Sequence, residues 1–223
     1  EESIWSKMFP RQPHGSNGGG LGVGYLHVRT CYFDAYIEAN ASTSEQLVIL
    51  GAGFDSRMYR LSELPRKCFE LDVPTTQAEK RRALCDAGID ASHVVFVPVN
   101  FALEDWFEKL KSYGFDPELP TIFLWEGVTY YLEDAIVDGT MQRIGSCKQA
   151  TLSYDVYYRW FSLDPRVVNV MSRGYGEPFL SGVDADDEGS SAKAAGMHVV
   201  EVANADTLNY RYVPRTQEGD FAC

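Results

Sequence analysis

An α/β fold, in which helices cover both faces of a mostly parallel sheet, is predicted by two features of the 223-residue sequence. Short apolar runs of strand length alternate with polar, helix-like segments between residues 46 and 156, as is typical of repeated strand–helix–strand units. Glycine, acidic or amide residues directly follow four of these runs, and ligands bind at the carboxyl ends of strands in such sheets. We expect a twisted sheet of about seven strands.

The N-terminal part differs from the rest of the chain, so we predict two segments, residues 1–44 as an arm with a lid helix and residues 45–223 as the main domain. Six glycines between Gly15 and Gly24 predict a flexible arm over residues 1–24. Apolar residues at helical spacing predict a helix over 25–40. The chain starts at Glu1 rather than Met, and we expect it to be a fragment of a longer protein.

The remaining elements follow from periodicity and turn residues. Five strands are predicted in the regular part, with helices between them, and the tail is less regular. The predicted strands are 46–50, 67–71, 93–99, 121–125 and 150–156, the helices 74–87, 103–113 and 132–144, and the tail elements a solvated acidic turn at 184–188, a helix at 190–195 and strands at 198–202 and 211–214.

Composition and charge exclude several classes of function. Acidic residues outnumber basic ones by 32 to 20, and the net charge of −12 argues against nucleic acid or an anionic membrane surface as a partner. No apolar stretch approaches the roughly 18 residues of a membrane span. The five cysteines are widely spaced and lack a Cys-x-x-Cys pattern, which predicts reduced thiols and a cytoplasmic protein. The four histidines are isolated, so no metal site is predicted.

The residues at the strand ends indicate a ligand with a ribose. Gly51-Ala52-Gly53 ends the first strand and Asp72 the second, 21 residues after Gly51. A carboxylate about 20 residues after a glycine turn is suited to the hydroxyls of a ribose. Two alternatives stay open, because Gly-x-Gly also makes an ordinary tight turn and an aspartate at this position can cap the next helix. Asn100 and Glu126 end the third and fourth strands.

Other nucleotide-binding classes match the sequence less well. Ser56 stands where a dinucleotide site has its third glycine, and no Tyr-x-x-x-Lys pair of a short-chain dehydrogenase occurs. Neither a Gly-x-x-x-x-Gly-Lys phosphate loop nor a Gly-x-Ser-x-Gly nucleophile motif is present. A ligand with a ribose and no pyrophosphate remains, and S-adenosylmethionine fits that description.

Three motifs resemble the leucine carboxyl methyltransferase family. Residues 50–61 read Leu-Gly-Ala-Gly-Phe-Asp-Ser-Arg-Met-Tyr-Arg-Leu, and only Ser56 replaces the threonine of the family pattern. Residues 69–74, Phe-Glu-Leu-Asp-Val-Pro, are similar to its second motif, followed by Lys80 as the usual downstream lysine. Residues 120–132 contain Trp-Glu-Gly-Val-Thr-Tyr-Tyr-Leu, which resembles its fourth-strand motif. The resemblance covers residues 25–200 in order and spacing.

The resemblance implies a Rossmann-like class I methyltransferase fold and transfer of a methyl group from S-adenosylmethionine to oxygen, without a metal. It implies that the glycine turn lines the methionine part and that Asp72 holds the ribose hydroxyls. Asn100 replaces the usual aspartate at the adenine amino group, where its carbonyl can still accept a hydrogen bond. The implied cofactor-binding residues are Arg29 (for the cofactor carboxylate), Gly51, Ala52, Gly53, Asp72, Asn100, Phe101 and Glu126 (near the methionine amino group).

Several alternatives accompany this hypothesis. Arg57 and Asp55 are interpreted as a pair that shapes the turn, and Glu126 could instead cap the next helix. The acceptor is predicted to be a carboxylate or hydroxyl of an unidentified molecule, and no catalytic residue is assigned. A carboxylate is already ionised at neutral pH and needs no general base, whereas a hydroxyl needs one. The alternatives are a methyltransferase for the C-terminal leucine carboxylate of a phosphatase catalytic subunit, and a non-catalytic nucleoside-binding protein.

Overall fold

One sheet of five parallel strands forms the centre of the computed structural model, which describes residues 20–213. The strand order is β3-β2-β1-β4-β5. The predicted parallel α/β sheet is therefore confirmed. The strands are β1 (Gln46–Leu50), β2 (Lys67–Asp72), β3 (Val94–Pro98), β4 (Thr121–Trp125) and β5 (Ala150–Tyr154).

Helices follow each strand, and several begin at clear capping residues. Asp105 accepts hydrogen bonds from the backbone N–H groups of Phe107 and Glu108 at the start of α4, and Asp164 caps α7 in front of Pro165. The helices are α1 (Gly20–Ala41), α2 (Arg57–Arg60), α3 (Pro74–Asp86), α4 (Trp106–Ser112), a 3₁₀ turn (Thr129–Tyr131), α5 (Asp134–Gly145), α6 (Arg159–Ser162), α7 (Pro165–Tyr175), α8 (Ser190–Ala194) and α9 (Ala205–Tyr212).

The main core lies between one face of the sheet and two helices. Every residue of β1 and β4 is buried, as expected for central strands of a parallel sheet covered on both sides. Alternate strand residues such as Val48, Phe69 and Phe123 form one cluster with side chains of α4 and α5. This packing fixes the sheet and leaves the carboxyl ends of its strands aligned at one edge.

The described residues form two compact units. The larger one, Tyr36–Val200, contains the whole sheet. The smaller one combines residues 20–35 with 201–213, and in it the Tyr32 hydroxyl donates to Glu201 Oε2 at 3.1 Å while Arg211 forms an ion pair with the same carboxylate. Within residues 20–213, no helix combines the length and the apolar character needed to cross a membrane.

The structure corrects three predictions about elements. The predicted strands at 198–202 and 211–214 are wrong over the described residues, because the first segment is irregular and the second belongs to the end of α9 and its C-cap. Val200 and Val202 are 90% and 52% exposed, so their alternation does not face a core. Helix α1 begins at Gly20 rather than Tyr25, and the rest of the predicted arm lies outside the described residues. The sequence analysis also missed α6 and α7.

Candidate functional site

The strand order places the predicted site residues at one edge of the sheet. The chain passes from β1 to β2 and β3 in one direction, whereas β4 and β5 lie on the other side of β1. This reversal beside β1 is the position at which α/β sheets bind ligands. Leu50 pairs with Leu71, and Ile49 with Leu124, so the residues that follow β1, β2 and β4 come out at the same edge.

The glycine turn after β1 has two glycines with different roles. Gly51 has a φ of +66°, and a Cβ added to it would lie 2.4 Å from Val128 Cγ2. Glycine is therefore required at 51 by both conformation and packing. Gly53 has a φ of +42°, and a Cβ there would meet no atom within 4 Å. The backbone at Gly53 thus borders open space in which a ligand can approach closely.

Asp72 connects the end of β2 to this turn. Its Oδ2 accepts a hydrogen bond of 2.6 Å from the Gly53 N–H, and its Oδ1 accepts one of 2.7 Å from the Val73 N–H. Helix α3 has Val73 as its N-cap and no side-chain cap, so the alternative that Asp72 serves only as a helix cap is wrong. A carboxylate has about four acceptor positions, and both oxygens can accept further bonds from ribose hydroxyls.

Glu126 follows β4 and forms a buried ion pair with Arg57. The distance from Arg57 Nη1 to Glu126 Oε2 is 2.7 Å, and the two side chains are 4% and 12% exposed. The same guanidinium contacts Asp55, which confirms the predicted Arg57–Asp55 pair. The 3₁₀ turn that follows has Val128 as its N-cap without a side-chain bond, so Glu126 is not a helix cap.

The end of β5 holds the loop after β4 in place. The Gly127 N–H donates to Asp155 Oδ1 at 2.7 Å, and the Thr129 hydroxyl donates to the backbone oxygen of Asp155 at 2.6 Å. The sequence analysis did not single out Asp155. Its position directly after β5, comparable to that of Asp72 at the end of β2, is the signal that could have identified it.

A second buried ion pair lies on the β2 side of the site. Lys80 Nζ of α3 lies 2.6 Å from Glu70 Oε2 of β2, and the side chains are 4% and 1% exposed. The Tyr59 hydroxyl donates to Glu70 Oε1 at 3.2 Å. Burial raises the pKa of Glu70 to about 6, while the Lys80 ammonium opposes part of that shift. Lys80, identified by the resemblance, is thus a partner of Glu70.

The residues after β3 form a turn of their own. Asn100 Oδ1 accepts a hydrogen bond from the Ala102 N–H at 2.9 Å, and the Asn100 N–H donates to Glu104 Oε2 at 2.8 Å. The ring centroid of Phe101 lies 5.9 Å from that of Trp106. Asp72 pairs with Pro98 at the end of β3, so Asn100 and Phe101, which follow β3, lie at the same edge of the sheet as Asp72. Phe101 is partly buried against the core.

Ala52 and Arg29 are the remaining predicted cofactor-binding residues. Ala52 is buried, and its N–H donates to the backbone oxygen of Leu71 at 2.8 Å, which ties the turn to β2 without using a side chain. Arg29 lies on α1 in the smaller unit, and its place at the cofactor carboxylate stays a prediction. The structure thus brings together the predicted residues that follow the strands.

A cavity of about 220 Å³ lies in the region that follows β4 and β5. Four aspartates and one arginine are among its lining residues, and Arg159 Nη1 lies 3.1 Å from Asp134 Oδ2. The Tyr130 and Tyr157 rings, 4.4 Å apart, also contribute to its wall. The cavity could not be predicted from the sequence, because most of its wall comes from residues outside the recognised motifs. Among the described residues, no group of three or more His, Cys, Asp or Glu side chains is arranged to hold a metal ion.

Comparisons with known proteins show the family to which the chain belongs. The model of the leucine carboxyl methyltransferase family matches residues 6–145. A relative from Mycobacterium marinum is 34% identical over 184 residues, or 74% of this chain and 58% of that protein. Another from Mycobacterium avium is 31% identical over 212 residues, or 88% and 66% of the two chains. Both are named "Putative S-adenosyl-L-methionine-dependent methyltransferase", and this chain spans about three fifths of their lengths.

Solved structures share the fold at low sequence identity. An O-methyltransferase family protein from Burkholderia thailandensis gives a TM-score of 0.56 at 13% identity, covering 84% of this chain and 55% of that one. Magnesium protoporphyrin IX methyltransferase from Synechocystis, solved with S-adenosylhomocysteine bound, gives 0.56 at 10% identity, with coverages of 89% and 85%. These matches confirm the predicted Rossmann-like methyltransferase fold, with five rather than seven strands among residues 20–213. The family model matches residues 6–145, which is more than half of this chain, and the chain therefore belongs to the leucine carboxyl methyltransferase family.

Proposed function

We propose that this chain is the cofactor-binding part of an S-adenosylmethionine-dependent O-methyltransferase. The observation that carries the proposal is the open space beside Gly53, which is flanked in the strand order by the carboxylates that follow β2 and β4. S-adenosylmethionine is an extended nucleoside with an ammonium group at one end. Its ribose hydroxyls and its ammonium group can each meet one of the two carboxylates, with the glycine turn between them. The family membership and the shared fold support the same cofactor.

Each residue of the edge has a chemical role in this proposal. Asp72 accepts hydrogen bonds from the ribose hydroxyls, and the bonds it already accepts from Gly53 and Val73 hold its carboxylate in place. Glu126 faces the ammonium group of the methionine part, the cation that a buried carboxylate would select. Asn100 and Phe101 border the adenine, and Arg29 binds the cofactor carboxylate. These assignments fit the donor and acceptor types that the structure supplies.

The acceptor in this proposal is a carboxylate, on a small molecule or at a protein C-terminus. When bound, S-adenosylmethionine supplies a methyl group on a sulfonium, whose carbon–sulfur bond breaks as the bond to the acceptor oxygen forms. The protein then needs to align the two groups and exclude water. A carboxylate acceptor loses no proton in this reaction, whereas a hydroxyl acceptor releases one, and this difference identifies the acceptor class.

The first experiment measures binding and then turnover. Calorimetric titration of the 223-residue chain with S-adenosylhomocysteine should show saturable binding at one site. Incubation with methyl-labelled S-adenosylmethionine and a panel of carboxylic acids, phenols and peptides with a C-terminal leucine should then label one class. Base-labile label without proton release in weak buffer supports a carboxyl ester.

The outcomes separate the alternatives. Label confined to the leucine peptides would favour the protein carboxyl methyltransferase, and base-stable label with proton release would favour a hydroxyl acceptor. Binding without turnover on any acceptor would favour the nucleoside-binding protein. If the folded chain does not bind S-adenosylhomocysteine, the proposed cofactor is wrong.

We further propose a cytoplasmic location. The four cysteines in the described residues, Cys31, Cys68, Cys85 and Cys147, are free thiols, which suits a reducing compartment. Burial raises the pKa of Cys68 and that of Cys147 to about 11, so these two thiols are unreactive at neutral pH. Labelling of the folded chain should therefore modify Cys85, which is exposed, before either of them.

A further inference from the structure

Arg57 reaches further than its predicted role in the turn requires. Asp55 shapes the local turn by accepting a 2.7 Å hydrogen bond from the Arg57 backbone N–H, and the Asp55 N–H donates to the oxygen of Ala52 at 2.7 Å. These backbone contacts define the loop without the guanidinium. The guanidinium nevertheless crosses from the end of β1 to Glu126 at the end of β4.

This contact occurs where charge interactions are strong. The Arg57 side chain is only 4% exposed, so water screens its interaction with the two carboxylates weakly. A guanidinium offers five N–H donors in a rigid, planar arrangement, and this geometry fixes the carboxylates that it binds. The position of the Glu126 carboxylate is therefore set by Arg57 as well as by its own backbone.

We propose that Arg57 is a positioning residue that acts through Glu126 to select ligands carrying an amino-acid ammonium group. This inference rests on the proposed function, in which Glu126 faces the ammonium of the methionine part. Arg57 itself touches no part of the ligand. The ion pair keeps the Glu126 carboxylate directed to one place.

The test compares two ligands that differ in the amino-acid part. S-adenosylhomocysteine carries the ammonium and carboxylate groups, whereas 5′-methylthioadenosine keeps the adenosine and the thioether but lacks both. Calorimetry on Arg57→Met should show at least about tenfold weaker binding of S-adenosylhomocysteine, a factor equal to about 1.4 kcal/mol. Binding of 5′-methylthioadenosine should change by less than about twofold.

Four further variants, one of them a double variant, test the same contact and its specificity. Arg57→Lys keeps the charge but loses the planar fork, so its affinity should lie between those of wild type and Arg57→Met. In Glu126→Gln, the added change Arg57→Met should weaken binding little further, because both act through one contact. Arg143→Met is a matched control, since Arg143 forms a pair of 2.8 Å with Asp105 but is 47% exposed, and it should bind both ligands as wild type does.

The results separate this inference from the proposed function. If the wild type binds neither ligand, the proposed function fails, and the inference fails with it. If the wild type binds both and Arg57→Met weakens both equally, or neither, Arg57 is only structural and the inference alone is overturned. Should Arg57→Met not fold, as judged by its melting curve, Arg57→Lys and the Glu126→Gln pair decide the same question.

Discussion

Two regions at the carboxyl ends of the strands are held together by charge pairs of different kinds. The cofactor edge, defined as residues 51–57, 70–80 and 126–128, contains ion pairs in which Arg57 and Lys80 are each 4% exposed. The post-β5 segment, residues 155–191, instead contains Arg159, which is 37% exposed and pairs with aspartates that are 55% and 66% exposed. Buried pairs fix geometry, whereas exposed pairs contribute little.

The two regions therefore differ in how firmly charge pairs fix their side chains. A fixed cofactor edge keeps its carboxylates in place before any ligand arrives, so little ordering is required on binding. The post-β5 segment exposes Trp160 at 72% and Leu180 at 45% and lines the acidic cavity. Its charge pairs are exposed to water and therefore hold it less firmly than the buried pairs hold the cofactor edge.

The largest expected effect comes from removing one buried charge of the cofactor edge. Lys80→Met leaves the Glu70 carboxylate buried without its partner, and the free energy of unfolding should fall by about 3–5 kcal/mol. The double change Glu70→Leu with Lys80→Met removes both charges and should recover most of that loss. Urea unfolding measures both. A single variant as stable as wild type would show that the pair does not hold the edge.

Asp72→Ala should affect both stability and binding. It removes the acceptor of two backbone N–H bonds and, in the proposed function, of the ribose hydroxyls. Bonds to charged groups contribute roughly 1.5–3 kcal/mol each, but Asp72 is only partly buried and water can replace part of both bonds. The free energy of unfolding should therefore fall by about 1–3 kcal/mol, and S-adenosylhomocysteine should bind at least about tenfold more weakly. Asp72→Asn should be milder in stability. Native affinity in the folded fraction of Asp72→Ala would contradict the ribose assignment.

The raised pKa of Glu70 predicts a pH effect on stability. Between its usual value of 4.5 and about 6, the folded protein holds a proton that the unfolded chain has released. Stability should therefore fall as the pH rises through this window, by about 2 kcal/mol from this group. The free energy of unfolding of wild type relative to Glu70→Gln should show the loss between pH 4.5 and 7. If the free energy of unfolding changed with pH in the same way for both proteins, the predicted contribution of Glu70 would be refuted.

The smallest expected effect is in the post-β5 segment. Arg159→Met removes a cation whose pairs are exposed to water, so the free energy of unfolding should change by less than about 1 kcal/mol. Binding of S-adenosylhomocysteine should stay as in wild type. A loss comparable to that of Lys80→Met, measured in the same urea series, would remove the distinction between the two regions.

Much of the fold and of the cofactor edge could be predicted from local sequence. Strands β1 and β4 were predicted to the residue, because each has four consecutive apolar residues after a single polar one and all five positions are buried. The positions of Gly53, Asp72 and Glu126 at one edge follow from their places after parallel strands. Their contacts do not, since the Arg57–Glu126 pair joins residues 69 positions apart and depends on tertiary packing.

The missed elements have identifiable physical causes. Helix α7 carries a readable start signal, because Asp164 caps it and Pro165 occupies its first turn, and this signal was overlooked in the irregular tail. The strand predicted at 198–202 rested on alternation alone, and a strand also requires a neighbouring strand to pair with. The cavity wall combines loop residues with residues of α5 and α8 that are distant in sequence, so no local sequence pattern predicts it.

Hydrogen–deuterium exchange with and without S-adenosylhomocysteine tests the central claim most directly, because it locates the ligand on the whole chain. We expect new protection in peptides that cover the cofactor edge, above all at the Gly51–Gly53 turn and at Glu126. We expect unchanged exchange over residues 155–191. Protection confined to the post-β5 segment, or no change at the cofactor edge at saturating ligand, would contradict the assignment of the site.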